Sequence, residues 1–391
     1  VTVERRLVLT LWCAGLAAFA AMYAPQGLLP QIAREVAVDA SHAALLISAA
    51  TLGLALSVLP WAWVADQVGL RTAMRAAAAF AAVCAVVVPF LSSFEAMLAG
   101  RLAHGIALGG IPALAMTLSH DIAVPARAAT IAGSYIAATS VGGLSGRLLA
   151  VPIANCFGWR TALLVLGVTV AVMMVAMIGL IPASAAGRRS DGVLQTIRGH
   201  LRNRAVWPIL VVGMLLSGAV MTVFNYLPFR LAAAPYGLEP AVISLVFLTY
   251  LGGTAGSRAT GWLGKRFGPA VVLAAAGVLV VVGAVVTVAD RLTVIVAGVA
   301  MLTIGFFVGH AVASSMVAAR AEIGRSQATA LYTIAYYSGS SIFGWLGGIA
   351  WSGGQWVAVA LMVIALGAAA TGFTTLSSRE PRRGPCAASR L

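Results

Sequence analysis

The chain has 391 residues, of which 61% are hydrophobic and 9% charged, and its mean hydropathy is +0.98. Soluble chains carry roughly 25% charged residues, so the composition excludes a soluble globular protein and predicts an all-α protein crossing a bilayer many times. The net charge of +14 does not mark a nucleic-acid binder, because the bases form no patch or arm and fall instead at the ends of apolar runs.

In chain order, apolar runs of about 20 residues, enough at about 1.5 Å per residue to cross a roughly 30 Å hydrocarbon layer, occupy 7–29, 42–63, 73–91, 95–118, 127–152 and 160–182. A second six occupy 207–231, 240–263, 269–288, 292–318, 326–350 and 354–376. The first run is as long as a full span and has no Ala-x-Ala-like cleavage site, so it reads as a retained helix. Residues 183–205 are polar and basic, a cytoplasmic linker between an N-terminal bundle (1–182) and a C-terminal bundle (206–376). The stretch 377–391 reads as a polar cytoplasmic tail.

Most Arg and Lys lie on alternate connections, among them Arg71, Arg75, Arg127, Arg188, Arg258, Lys265, Arg266 and Arg320, whereas the opposite set holds Arg34, Arg160, Arg230 and Arg291. The positive-inside rule then places both termini and the linker in the cytoplasm. Cys13, Cys84, Cys156 and Cys386 show neither metal nor disulfide spacing and read as small apolar fillers.

The two sixes repeat each other. Ala62-Trp63-Val64-Ala65-Asp66-Gln67-Val68-Gly69-Leu70-Arg71 and Gly261-Trp262-Leu263-Gly264-Lys265-Arg266-Phe267-Gly268 are two versions of one charged turn, with Gly69 and Gly268 in equivalent places. Phe157-Gly158-Trp159-Arg160 has its counterpart in Gly354-Gln355-Trp356, and Pro25-Gln26 aligns with Phe224-Asn225, which relates Gln26 to Asn225 across a pseudo-two-fold axis. Such duplication is common in secondary transporters. Glycine clusters at 105–110 and 142–146 predict close helix approach.

The charged turn resembles the loop signature of the major facilitator superfamily, keeping Asp66, Gly69 and Arg71 but carrying Ala62 and Gln67 where the family has Gly and Arg. Arg101-Leu102-Ala103-His104-Gly105 resembles the family's fourth-helix Arg-x-x-Gln-Gly, with His104 in the Gln place. Gly133, Gly142 and Gly146 resemble its fifth-helix antiporter motif, with Arg147 replacing the proline and Ala150-Val151 the closing glycines. Together with Tyr23-Ala24-Pro25-Gln26-Gly27-Leu28-Leu29-Pro30, these motifs are similar to the arabinose-efflux-permease-like branch of bacterial drug and metabolite exporters. The resemblance implies a fold of twelve helices in two pseudo-symmetric bundles and a proton-coupled exporter of the cell inner membrane, acting as a monomer.

The resemblance also places Asp66 against the N-terminal end of the eleventh helix, near Ser326, where a carboxylate meeting the positive end of a helix dipole gains about 0.3–1 kcal/mol when exposed. Asp66, Gly69 and Arg71, with Gly261, Lys265 and Gly268, would then form a conformational latch. It is one-sided, since the same dipole repels Lys265. The alternative pairs Asp66 with Arg71 alone.

All carboxylates fall in loops or at their edges, so the deep polar set is Arg101, Arg147, His104, His310, Gln26, Asn225 and several tyrosines. Ionisable groups inside a membrane are costly and usually functional. Arg101, His104 and His310 are the proton-coupling candidates, because a histidine titrates near neutrality and the fourth-helix motif carries the arginine. Packed, hydrogen-bonded histidines are the competing reading. Arg147 either attracts an anionic substrate group, or it reaches outward, or it bonds helix carbonyls together with Glu95. Tyr23, Gln26, Arg147, Asn225, Tyr226, Tyr332 and Tyr336 are candidates for a central cavity, which the family lines with its first, seventh and eleventh helices, against a reading as packing aromatics.

Three function classes fit the sequence: a proton-coupled exporter, a carrier taking up or exchanging an organic anion held by Arg147, and a membrane-embedded enzyme. His120-Asp121 alone resembles a catalytic pair, and no nucleotide-binding loop occurs. No cofactor, metal or nucleic acid is implied. The expected partners are a small-molecule substrate, protons and lipid.

Overall fold

The computed structural model describes residues 2–182, 199–200, 203, 206–321 and 325–378. Among them eleven helices are long and apolar enough to cross a membrane, the last spanning 49 residues, Gln327–Thr375. That helix is interrupted at Gly354 and Gln355, the latter with φ 51°, which gives the twelve crossings read from the sequence.

The helices are α1 (Val3–Tyr23, continued by the 3-10 segment Ala24–Leu28 and the short helix Leu29–Glu35), α2 (Ala40–Val68), α3 (Leu70–Val87), α4 (Phe94–Ile122), α5 (Pro125–Phe157) and α6 (Trp159–Leu180). After the linker come α7 (Trp207–Ala232), α8, α9 (Pro269–Val286) and α10 (Leu292–Arg320). Helix α8 is in pieces: Pro240–Ser244, the 3-10 segment Leu245–Leu248, Thr249–Arg258 and Thr260–Phe267. Helices α11 (325–353) and α12 (356–378) complete the chain. The linker expected at 183–205 and the tail at 377–391 lie almost wholly outside the described residues.

The repeated turns take one shape. Gly69 (φ 88°) ends α2 and begins α3, and Gly268 (φ 83°) does the same between α8 and α9. Each amide donates back to a carbonyl four residues earlier, Ala65 at 2.9 Å and Gly264 at 3.0 Å. A positive φ is nearly free for glycine and strained for other residues. The tryptophans of the other repeat, Trp159 and Trp356, are both buried.

Arginine closes two matching helix ends. Arg160 donates to the carbonyls of Pro89 (3.1 Å) and Leu91 (2.9 Å) just past α3, stacked over Trp159. Arg230 donates to those of Thr287 and Ala289 just past α9, stacked over Trp356. The last carbonyls of a helix have no partner within it, so each cation stabilises an end that lipid cannot solvate.

Small residues set the packing. A Cβ on Gly142 would lie 2.5 Å from the Leu16 carbonyl oxygen and one on Gly146 2.5 Å from that of Ala20, so α1 and α5 touch backbone to backbone. Such packing replaces hydrophobic driving force between helices in lipid. Leu56, Val83, Val172 and Leu361 are among the large apolar side chains left exposed on the outside, as a lipid-facing surface requires. One buried cluster gathers α7–α12 and another α1–α6; Ala40 and Ala44 of α2 join the former, Met221 and Tyr337 the latter.

Candidate functional site

Pro25 opens the site. It has no amide hydrogen, so the carbonyl of Ala21 loses its helical donor, and α1 passes into the 3-10 segment Ala24–Leu28. Arg101 of α4 fills the gap: Nη1 donates to the Ala21 carbonyl (3.2 Å), Nη2 to that of Met22 (2.6 Å) and Nε to that of Leu46 on α2 (3.1 Å). The buried guanidinium thus ties α4 to the break in α1 and to α2.

His104 lies one turn further along α4, with Nδ1 3.4 Å from Arg101 Nη1. Guanidinium only donates, so Nδ1 is the acceptor in this contact. Nε2 of the ring is buried with no hydrogen-bond partner among the described residues.

The close α1–α5 contact through Gly142 and Gly146 brings Gln26, within the 3-10 segment, against Arg147. Nε of Arg147 donates to Gln26 Oε1 at 2.6 Å, Nη1 to the Gly143 carbonyl at 2.7 Å and Nη2 to the Tyr250 hydroxyl at 3.2 Å. Gln26 Nε2 donates in turn to Asn225 Oδ1 of α7 at 2.7 Å. The Arg147 guanidinium carbon sits 4.1 Å from the Tyr23 ring centroid, 4.6 Å from that of Tyr250 and 5.4 Å from that of Phe247. Arg147, Gln26 and Asn225 are each 0% exposed. Helix α5 touches both 3-10 segments, those of α1 and α8, so Arg147 lies where two broken helices meet.

This corrects part of the sequence reading. Arg147 neither reaches outward nor bonds Glu95; its one helix-carbonyl bond is to Gly143, and its other partners join α1 to the last six helices. No carboxylate lies within ion-pair distance of Arg147 or Arg101 among the described residues, whose ion pairs include His42–Asp39, Arg127–Glu4 and Arg160–Glu35.

With this geometry in place, residues 11–344 match the family model of the Major Facilitator Superfamily. The chain belongs to the major facilitator superfamily. It is similar to the MFS-type transporter YybF of Bacillus subtilis, 32% identical over 92% of this chain and 90% of that one. It is also similar to the inner membrane transport protein YnfM of Escherichia coli, 33% identical over 92% and 89%. A bacterial homolog of the human lysosomal transporter Spinster, solved in an inward-facing and occupied conformation, shares the fold with a TM-score of 0.76 at 15% identity, covering 96% of both chains. The chain is therefore a multi-pass membrane transporter of the secondary type and not an enzyme.

Other candidates fall in separate places within the major facilitator fold. His310 of α10 has Nδ1 2.9 Å from the Tyr332 hydroxyl, and its ring lies 4.8 Å from that of Tyr336 and 6.0 Å from that of Phe306. These groups form an aromatic cluster between α10 and α11 that runs on through Phe306 and Phe307 to Tyr250 of the Arg147 cage. Tyr226 departs from the cavity expectation: its hydroxyl donates to the Gly344 carbonyl at 3.0 Å and its ring stacks on Trp351. It packs α7 against α11.

Asp66 is half-buried at the end of α2 with no hydrogen-bond or ion-pair partner among the described residues, so it does not pair with Arg71. Arg71 Nε is itself buried without a partner. Lys265 and Gly261 are exposed, and the side chains that begin α11 lie outside the described residues.

Sequence reasoning missed Tyr250 and Phe247, which complete the cage around Arg147, and the hydrogen bond from Ser341 Oγ to the Ser48 carbonyl at 2.8 Å. The signal lay in the repeat. Duplication that pairs α2 with α11 also pairs α5 with α8, so an aromatic about ten residues into α8 faces an arginine about ten residues from the end of α5.

Proposed function

We propose that the chain is a secondary exporter of the bacterial inner membrane that works by alternating access, moving a small organic molecule outward in exchange for protons. Its bundles, 1–182 and 206–376, rock against each other about a midplane cavity, with the Arg147 junction at the end that opens, and are joined by the cytoplasmic linker. The observation that carries this reading is the placement of the bonds between the bundles: Arg147–Tyr250, Gln26–Asn225, Gln26–Met221 and Ser341–Ser48. All lie nearer the α1–α2 and α7–α8 turns than the opposite ends of their helices. A ligand crossing the midplane has to part these bonds while the other end closes, which is how transporters of this architecture alternate.

Asp66 supports the same reading from the other end. An unpaired, half-buried carboxylate beside the α2–α3 turn fits a latch standing open while the far end is shut, ready to meet the start of α11 in the opposite state. It is also the most accessible proton carrier, since His104 faces a fixed cation and His310 a tyrosine hydroxyl. The positive-inside pattern and the name of the YnfM relative support an inner membrane with cytoplasmic termini.

The test uses inverted membrane vesicles with an acid-inside pH gradient and a panel of cationic, neutral and anionic compounds. The account predicts that some compounds dissipate the gradient and that Asp66→Asn abolishes the response. An unchanged response in Asp66→Asn contradicts the role given to Asp66, and no response to any compound from folded protein contradicts proton exchange.

A further inference from the structure

Arg147 carries a charge that the protein leaves unbalanced. Its three recorded acceptors, Gln26 Oε1, the Gly143 carbonyl and the Tyr250 hydroxyl, are all neutral. Arg101 is the instructive contrast: three of its bonds go to main-chain carbonyls, two at the α1 break and one on α2, and its remaining contact is His104 on its own helix. Arg147 instead spends two of its bonds on side chains that belong to other helices, and side chains can rotate away. A guanidinium has five donor hydrogens in a planar fork that matches a carboxylate, so two hydrogens remain beyond the three bonds. One link further along the chain, past Gln26, Asn225 Nδ2 is buried with no acceptor among the described residues. Hydrogen-bond donors therefore outnumber acceptors around a fully buried cation, at the meeting point of two broken helices.

We propose that Arg147 is the binding residue for an organic monocarboxylate, which takes the place of Gln26 Oε1 on the guanidinium and thereby releases the Gln26–Asn225 bridge between the bundles. The carboxylate accepts from the Arg147 fork with one face and from Asn225 Nδ2 with its remaining lone pairs. Charge selects one carboxylate over a phosphate ester or dicarboxylate. Arg147 is the buried cation whose side-chain bonds can be given up, because Arg101 is held by carbonyls and the remaining Arg and Lys among the described residues sit at helix ends. The rings of Tyr23, Phe247 and Tyr250, with Phe224 4.9 Å from Tyr250, hold the cation when no anion is present and offer an apolar wall to the body of the ligand. Gly143 gives the fork its room: a Cβ there would stand 3.3 Å from Arg147 Nη1.

The proposal rests on the alternating-access reading, in which the bonds at this end must part, and its test is separable from proton exchange. Purified full-length protein in detergent is titrated with benzoate, salicylate and hexanoate, with benzamide as the neutral isostere and phenyl phosphate as the dianion, following thermal midpoint and heat of binding. The expected result is saturable binding of at least one monocarboxylate, at least tenfold weaker binding of benzamide and phenyl phosphate, and at least tenfold loss in Arg147→Gln. Asn225→Ala keeps the cation and should weaken binding by a smaller factor, which preserves the test if Arg147→Gln does not fold. Equal binding of benzoate and benzamide, binding unchanged in both variants, or no binding by any of the three carboxylates overturns the proposal. The vesicle assay reads the other question: a gradient response that survives without carboxylate binding leaves the exporter and removes the anion, and carboxylate binding without a gradient response keeps the site and removes proton exchange.

Discussion

At the scale of single residues, the junction is a short chain of donors and acceptors in which Gln26 is the middle link, accepting from Arg147 and donating to Asn225. Gln26→Ala leaves a buried guanidinium hydrogen and a second buried amide group unpaired, and each such orphan costs about 1–3 kcal/mol. The expected outcome is a lower thermal midpoint; an unchanged midpoint would mean that water or another side chain satisfies both groups. Arg101→Lys should be at least as damaging, because an ammonium cannot reproduce the fork that reaches three carbonyls at once. A midpoint within error of the parent would remove the bracing role. Gln26 and Asn225 were legible as a pair from Pro25-Gln26 and Phe224-Asn225 alone, since alignment across a pseudo-two-fold axis brings equivalent positions together. The repeat sets α5 against α8, but which α8 side chains face Arg147 was not legible, because the 3-10 segment Leu245–Leu248 resets the facing of Phe247 and Tyr250 within a run that reads as one continuous helix.

At the scale of elements, helix approach and helix interruption do separate jobs. Glycines let α1 and α5 meet, and the Pro25 break then turns Gln26 toward Arg147. Gly142→Val would drive a branched side chain into the Leu16 carbonyl, 2.5 Å from its first carbon, and overpacking of this kind typically costs about 1–3 kcal/mol. Folding yield and midpoint should both fall, while the same change at Gly133, with nothing within 4 Å, should be tolerated; equal effects at both positions would contradict the backbone contact. Gly69→Ala tests the turn, where φ is 88° and a Cβ costs about 1–2 kcal/mol. The element boundaries were readable because most crossings begin or end at a side-chain cap, a proline or a positive-φ glycine. The unexpected element is α8. Its apolar run reads as one helix, whereas its glycines, Gly252, Gly253 and Gly256, weaken the helix and let α10 side chains such as Ile304 and Phe307 press in.

At the scale of the molecule, hydropathy and duplication made the twelve-helix plan visible, since few structures other than helices satisfy backbone hydrogen bonds in lipid. The conformational state was not visible, because both ends of a rocking pair obey the same composition rules. The account's central claim is that the Arg147 end is closed here and must open during transport. Ser48 and Gly344 test it directly: a Cβ on Gly344 would stand 2.9 Å from Ser48 Oγ across the two bundles, a separation suited to a disulfide. With the native cysteines replaced, Ser48→Cys with Gly344→Cys should cross-link on mild oxidation, and the cross-linked protein should lose the vesicle pH-gradient response and regain it on reduction. A cross-linked protein that responds at the uncross-linked rate would contradict the claim that these bundles part at the Arg147 end.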